Sequence, residues 1–492
     1  MNKENKKENP FFDKIVIAST NHPSKKGDSL MEPIIQEIAK TISAKFVTEL
    51  ELLMTENRDI SEFIVAIKAT LDEVGAKLVA EALETIDQAI KESQARKRNW
   101  VVQSKAEEKN LVTVFGEVSY KRTYYKNKTT GEYSYLSDEA VGIFTHDKMD
   151  TLLKARLIEE AIEVSYRRSG AKASEAVQLT SQTVMNCIRE LGNVDNDASG
   201  IEAGKKAVKT LYIEADEDHV ALQDGRHVEP KLVYVHEGRK KAGKDRWELI
   251  NPRYFSGIYD ESDELWLEIA DYIDKAYESN VIEKVYISGD GAAWIKNGLG
   301  WIKDSVYVLD RYHLSKYVIQ ATAHIEGSAP IMWEYINSGE KKKLQELFTA
   351  IIKSTEGKSK KRAVQEAKRY ILGNWEGIRN QYQEDYGGCS AEGHVSHILS
   401  SRLSSRPSGW CRTGVDQMSR LRAFAANGGK VYDLLMTKKK QALNQARAFK
   451  LDQRIINRRT LTETHETLGN LTILNIGKKT SMMQFLRSIR TA

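Results

Sequence analysis

Three acidic residues stand inside or just past apolar, strand-like runs. They are Asp216 in LYIEADEDHV (211–220), Asp290 in VYISGDGAAWI (285–295) and Asp310 in VYVLDRYHL (306–314). A carboxylate on a buried strand is costly unless a cation or a proton compensates it. Three strands carrying one in the same region point to convergent carboxylates, the usual hard-oxygen cradle for Mg²⁺ or Mn²⁺. Two such ions about 4 Å apart can activate a water or a 3′-hydroxyl and stabilise the leaving oxygen of a phosphodiester. The chemistry to test is therefore metal-dependent phosphoryl transfer.

The elements around these residues must bring them together. Patterning predicts strands over 209–222, 231–237 and 252–259, a helix over 261–278 and a strand over 283–289. A short helix then follows Asp290, with a strand over 305–310 and a helix from Tyr312. This is the order of an RNase H-like domain, whose mixed sheet sets the ends of its first and fourth strands side by side. Residues 321–386 read as helical throughout, with Trp333, Leu344, Leu347, Phe348, Ile351, Tyr370 and Trp375 as core. They form an all-helical insertion in the α/β domain. A loop and helix follow over 387–403, and Glu392 there is the candidate third carboxylate. Ser396, Ser400, Arg402 and Arg406 follow it at helical spacing, as a track for phosphates. Asp218 shares a strand face with Asp216 and competes for the first carboxylate role. Glu214 and Glu217 read as solvent-facing or salt-bridging residues, and Trp294 as core or as a base-stacking ring.

Towards the N-terminus the chain divides into a polar segment (1–30), a helical region (31–105) and a small antiparallel β element (106–145). A helical region resembling a helix-turn-helix (146–200) precedes the α/β core. The core is read as 205–320, the helical insertion as 321–386 and the Glu392-bearing part of the core as 387–425. A basic segment (426–492) closes the chain. In the β element, with its turn at 128–131, Tyr120, Lys121, Arg122, Tyr124, Tyr125 and Lys126 interleave cations with rings. That suits a nucleic-acid backbone, as it does an exposed hairpin face. In the helical region a short break precedes a helix capped by Thr180 or Ser181. Val184 and Ile188 point inward, and Gln182, Thr183, Asn186 and Arg189 are presented outward.

Composition sets limits. With 492 residues, 41% hydrophobic and 29% charged, the chain has room for several domains. No window reaches the roughly 18 continuous apolar residues of a membrane span, and the polar N-terminus is unlike a secretory signal. Cys187, Cys389 and Cys411 show no CxxC spacing, which argues against a disulfide framework or a zinc knuckle and for a cytoplasmic setting. Net charge is +5, but from Arg402 to Ala492 there are 18 Lys and Arg against 5 Asp and Glu. Such segregation favours a polyanionic partner.

The motifs IEADEDHV, SGDGAAWI, LDRYHLSKY and CSAEGHVSH…RLSSRPSGW, with GEVSYKRTYY near residue 120, resemble the ISLre-type insertion-sequence transposases. This bacterial group was long catalogued only as an uncharacterised protein family, and the resemblance covers most of the chain. It implies a DDE transposase with Asp216, Asp290 and Glu392 as catalytic and metal-holding residues, and two Mg²⁺ or Mn²⁺ ions per active site. Asp310 and His313 resemble a motif beside the active site, and His394 is an alternate or supporting residue. The implied partners are double-stranded DNA, as element ends and target, and further copies of the chain in a synaptic complex. No membrane is involved, and the protein is expected with the bacterial nucleoid in the cytoplasm. Gln182, Thr183, Asn186, Arg189, Lys121, Arg122, Arg402 and Arg406 are the candidate DNA contacts. Two alternatives remain: a structure-specific, metal-dependent DNA nuclease without strand transfer, and a non-catalytic DNA-binding regulator.

Overall fold

Runs of β-branched and aromatic residues broken by turns fold into a five-stranded mixed sheet in the computed structural model, which describes residues 25–56, 58–244, 246–406 and 409–444. The chain forms two units. One comprises residues up to Leu152 and from Tyr432 onward; the other runs from Leu153 to Val431.

The first unit opens with two long helices, α1 (Lys25–Thr55) and α2 (Ile60–Glu92). Asp59 caps α2 by accepting the Ser61 N–H at 2.7 Å. Strands β1 (Trp100–Thr113) and β2 (Gly116–Asn127) pair antiparallel, and α3 (Leu136–Val141) follows. Leu83 of α2 packs with Leu111, Val118 and Tyr120 of the hairpin. The helix at the start begins within the polar segment read as 1–30, ahead of the helical region expected from 31. Strand β1 starts at Trp100, inside the stretch expected to be helical. Of the polar N-terminus, residues 1–24 lie outside the described residues, as do residues 445–492 of the basic C-terminal segment.

The second unit begins with α4 (Thr151–Glu163), α5 (Tyr166–Lys172) and α6 (Ser181–Leu191). Thr180 caps α6, its hydroxyl accepting the Thr183 N–H at 3.2 Å. The connection over 173–180 is longer than the three- or four-residue turn of a compact helix-turn-helix. Leu179 returns its N–H to the Gly170 carbonyl at 3.0 Å, and a Cβ on Gly170 would meet the Leu179 carbonyl oxygen at 2.0 Å.

The sheet comprises β3 (Thr210–Glu217), β4 (Lys231–His236), β5 (Arg253–Gly257), β6 (Lys284–Gly289) and β7 (Ser305–Leu309). Their spatial order is β5-β4-β3-β6-β7. Strand β4 is antiparallel to both β3 and β5, whereas β3, β6 and β7 run parallel. Helix α7 (Ser262–Ala276) joins β5 to β6, and α8 (Arg311–Thr322) follows β7. The insertion holds α9 (Ser328–Ser338), α10 (Lys341–Ser354), α11 (Lys358–Gly373) and α12 (Trp375–Asn380). Helix α13 (Ala391–Val395), a π-helical turn (Ser396–Ser400) and α14 (Arg412–Ala426) complete the unit.

The sheet has two unlike faces, because side chains alternate along a strand. Leu211, Ile213, Ala215, Val233, Val235, Val285 and Ile287 join Leu265, Trp266, Ile269 and Ile273 of α7 in one apolar core. The opposite face carries Tyr212, Glu214, Asp216, Tyr234, His236, Tyr286 and Ser288. Tyr212 stacks between His236 and Tyr286, at centroid distances of 5.2 and 5.6 Å. The chain returning from the insertion covers this polar face. There Tyr286 donates to Gln383 Oε1 at 2.8 Å, and the Tyr386 and Ser288 hydroxyls lie 3.1 Å apart.

Candidate active site

Parallel pairing brings the acidic residues level at the C-terminal edge of the sheet. Ser288 lies beside Glu214, so Asp290 falls beside Asp216 two residues further on. Gly289 lies beside Leu309, which sets Asp310 next to Asp290, and the Asp310 N–H donates to the Gly289 carbonyl at 2.8 Å. Asp216 is only 8% exposed, and one of its oxygens accepts the Glu217 N–H at 2.9 Å. Burial pushes its carboxyl up to about 7. The Asp290 and Glu392 carboxylates add to that rise, while the Glu217 N–H and the His313 charge oppose it. Asp216, Asp290, Glu392 and His313 thus form one electrostatic cluster.

Local turns fix each member. Asp290 accepts the Ala292 N–H at 2.8 Å, and its carbonyl oxygen accepts the Tyr370 hydroxyl from α11. Gly291 has φ +99°, a left-handed value that favours glycine, and its Cβ position faces Asn374 Oδ1 at 3.0 Å. Asp310 caps α8 through the Tyr312 N–H at 3.3 Å and meets His313 Nδ1 at 3.0 Å. That bond raises the imidazole pKa; burial opposes it, and the Asp216, Asp310 and Asp290 charges reinforce it. Glu392 is exposed in the first turn of α13.

A buried network holds α13 to the sheet. Glu214, 1% exposed, accepts the Tyr234 hydroxyl and the Ser390 N–H at 2.5 Å each, and Arg239 Nη2 at 2.8 Å. It also meets His236 Nε2 at 3.0 Å. Burial favours a neutral Glu214, but the His236 bond and the Arg239 charge prevail and hold its carboxyl well below the usual carboxylate range. His394 packs against Tyr234 at 4.6 Å and bonds the Tyr254 hydroxyl through Nδ1 at 3.1 Å. Of the two readings of Glu214, solvent-facing or salt-bridging, the second holds; its burial and its role at the centre of this network went unforeseen because its partners are remote in sequence. Glu217 does salt-bridge, reaching Lys231 at 3.6 Å, and Lys231 sits 4.1 Å over the Trp294 ring.

The other sequence candidates separate. Asp218 is buried apart from the cluster's turns, with one oxygen accepting the Ser404 hydroxyl at 2.8 Å. Gln182, Asn186 and Arg189 are exposed on α6, with Thr183 half-buried; Lys121 and Arg406 are exposed. Two expected DNA contacts are corrected. Arg122 is buried, pairs with Asp138 and lies 3.5 Å over the Tyr135 ring. Arg402 donates to the Ala161 carbonyl at 2.9 Å and sits 5.5 and 5.0 Å from the Tyr166 and Trp410 rings. The π-helical turn over 396–400 shifts the helical phase, so the even spacing from Glu392 to Arg402 no longer describes one face.

Three carboxylates suit Mg²⁺ or Mn²⁺: Asp216 is raised chiefly by burial, with a smaller contribution from the Asp290 and Glu392 charges, and a cation would favour its ionised form. Among the described residues, the trio whose donor atoms all lie within 4.8 Å is Glu217, His219 and Glu229. The donor atoms of Asp216, Asp290 and Glu392 do not form such a tight trio.

Fold and site together define a mixed α/β protein with a carboxylate cluster at the C-terminal edge of its sheet. The chain belongs to UPF0236, an uncharacterised protein family whose model matches residues 53–440. It is similar to UPF0236 proteins of Caldanaerobacter subterraneus subsp. tengcongensis. One is 43% identical over 495 residues, covering 99% of each chain. Another is 44% identical over 444 residues, covering 89% of this chain and 95% of the relative. A third, 42% identical over 467 residues and covering 94% and 98%, is named for eleven loci of that genome, so the family has many paralogues there. Among the described residues no helix is long and apolar enough to cross a membrane.

Proposed function

We propose that the chain is an insertion-sequence DNA transposase with an RNase H-like catalytic domain. The observation that carries this reading is the convergence of Asp216 and Asp290, from adjacent parallel strands, with Glu392 on a helix beyond the helical insertion. The many paralogues in one genome favour it too, because mobile elements multiply within a genome.

In this reading Asp216, Asp290 and Glu392 hold two Mg²⁺ or Mn²⁺ ions, which when bound supply Lewis acidity to the phosphodiester. The chain's residues do the rest. Asp310 fixes His313 through Nδ1, leaving Nε2 to meet a phosphate oxygen. Tyr370 and Gly291 hold the Asp290 turn in shape. The Glu214 network keeps α13, and with it Glu392, against the sheet. Lys121, Gln182, Asn186, Arg189 and Arg406 contribute DNA contacts, and element ends are brought together by more than one copy of the chain.

The test is a cleavage and joining assay on DNA carrying the element's ends, with Mg²⁺ or Mn²⁺. Asp216→Asn, Asp290→Asn and Glu392→Gln should each lower cleavage by about 10³-fold or more while DNA binding persists. Nicking without joining of pre-cleaved ends identifies a nuclease instead. Unchanged function in all three variants identifies a non-catalytic regulator.

A further inference from the structure

A second feature lies on the polar face of the sheet, away from the carboxylates. Between β4 and β5 the chain makes a short hairpin whose strands, Arg239–Lys241 and Trp247–Leu249, pair antiparallel with Lys241 opposite Trp247. Trp247 is 61% exposed, although tryptophan is the side chain that gains most from burial. It borders a cavity of about 410 Å³ whose other walls include Tyr212, His236, Arg239, Gly387 and Gly388. Lys240, Lys241 and Lys244 stand exposed on the same hairpin. The site offers a free aromatic face, a recess walled by Tyr212 and His236, and Lys241 on the Trp247 face of the hairpin, with Lys240 on the other face opposite Glu248 and Glu237 also lining the recess. That combination takes an unpaired nucleotide: the base stacks on the ring and the lysines meet the phosphates. A duplex keeps its bases stacked on one another and has none to place on Trp247.

We infer that the paired strands Arg239–Lys241 and Trp247–Leu249 form a binding site for unpaired DNA, with an extruded or single-stranded base stacked on Trp247 in the Tyr212–His236–Arg239 recess. The inference rests on the proposed DNA-processing function and adds that the substrate is opened near the site of reaction. Tyr212 and Asp216 share β3 and are four residues apart, so along the strand the recess lies roughly 13 Å from the carboxylates.

The experiment compares full-length protein binding a fluorescein-labelled 20-nucleotide oligo-dT and a blunt duplex of equal length, by anisotropy, without divalent cation. Wild type should bind the oligo-dT. Trp247→Ala should weaken that binding roughly tenfold, Trp247→Phe should retain most of it, and duplex affinity should be unchanged. Changing Lys241 and Lys244 together to Gln should flatten the salt dependence for oligo-dT by about one to two in log–log slope. Thermal melting confirms that each variant is folded, as expected for exposed positions. Trp247→Ala binding oligo-dT as tightly as wild type overturns the inference. Wild type that binds duplex but not oligo-dT also overturns it and leaves the transposase reading in place. Failure to bind either DNA overturns both.

Discussion

Glu214 and Ser390 are 176 residues apart in sequence and in direct contact, the carboxylate accepting the serine N–H at 2.5 Å and its hydroxyl at 3.1 Å. The strand that carries Asp216 is thereby tied to the turn that launches the Glu392 helix. With Arg239, His236 and Tyr234 on the same carboxylate, Glu214 is the fully engaged centre of a buried ionic network that weakens as members are lost.

Removing the charge should show this. Glu214→Gln leaves Arg239 short of its counter-ion inside the fold and should lower unfolding free energy by about 3–5 kcal/mol. Guanidinium unfolding followed by far-UV circular dichroism measures it. A loss below about 1 kcal/mol would show that the network holds nothing in place.

Stability should also depend on pH, with the sign set by Asp216. Its folded pKa, pushed up by burial to about 7, exceeds its unfolded value of about 3.8. Its contribution is therefore fully present below about pH 4 and lost as pH rises through about 7. Metal-free protein should be more stable at pH 5.5 than at pH 8 by about 2 kcal/mol and melt correspondingly higher, and Asp216→Asn should flatten that slope. Glu214 does not blur the test: its depressed pKa gives stability that is lost only at strongly acid pH. Added Mg²⁺ should raise the pH 8 melting point, because an ion bound by the folded state offsets the repulsion. Scanning calorimetry across pH, with and without Mg²⁺, provides the comparison.

The turn after Asp290 should tolerate no side chain. Gly291→Ala places a Cβ at φ +99° and about 3.0 Å from Asn374 Oδ1. The expected cost is about 1–3 kcal/mol, with the Asp290 carboxylate displaced. Gly393→Ala is the control, since nothing lies within 4 Å of its Cβ position. Equal melting points for the two variants would contradict the strained turn.

Neighbouring cations on β2 should behave oppositely. Arg122→Ala strips Asp138 of its buried partner and should destabilise the first unit by about 3–5 kcal/mol. Exposed Lys121→Ala should leave stability unchanged and lower DNA affinity modestly, with a shallower salt dependence. Paired melting and anisotropy measurements on both variants separate the two roles.

These contrasts show what the sequence made legible. Strands β3 to β7 and their helices stand within a few residues of expectation, because buried strands read as short apolar runs between turns. Asp216 and Asp290 were visible as carboxylates at the ends of such runs. Glu214 looked like one more strand acid, since nothing near it in sequence announces His236, Arg239 or Ser390. Arg122 shares its strand face with the apolar Val118 and Tyr120, so alternation places it inside; its charge suggested a surface contact, and its buried partner Asp138, 16 residues on, is not announced nearby. Arg402 kept helical spacing on paper, but the π-helical turn rotates it towards Tyr166 and Trp410. The start of α1 at Lys25 escaped detection because its first turns are polar and lysine-rich.

The Glu214–Ser390 contact has a consequence for biosynthesis. A ribosome translating this chain completes β3 long before Ser390 emerges, so the sheet's polar face waits for its cover. A product truncated before residue 390 lacks Glu392 and two of the donors that satisfy Glu214. Incomplete chains are thus denied the third carboxylate and part of the sheet's stabilisation by the same missing segment.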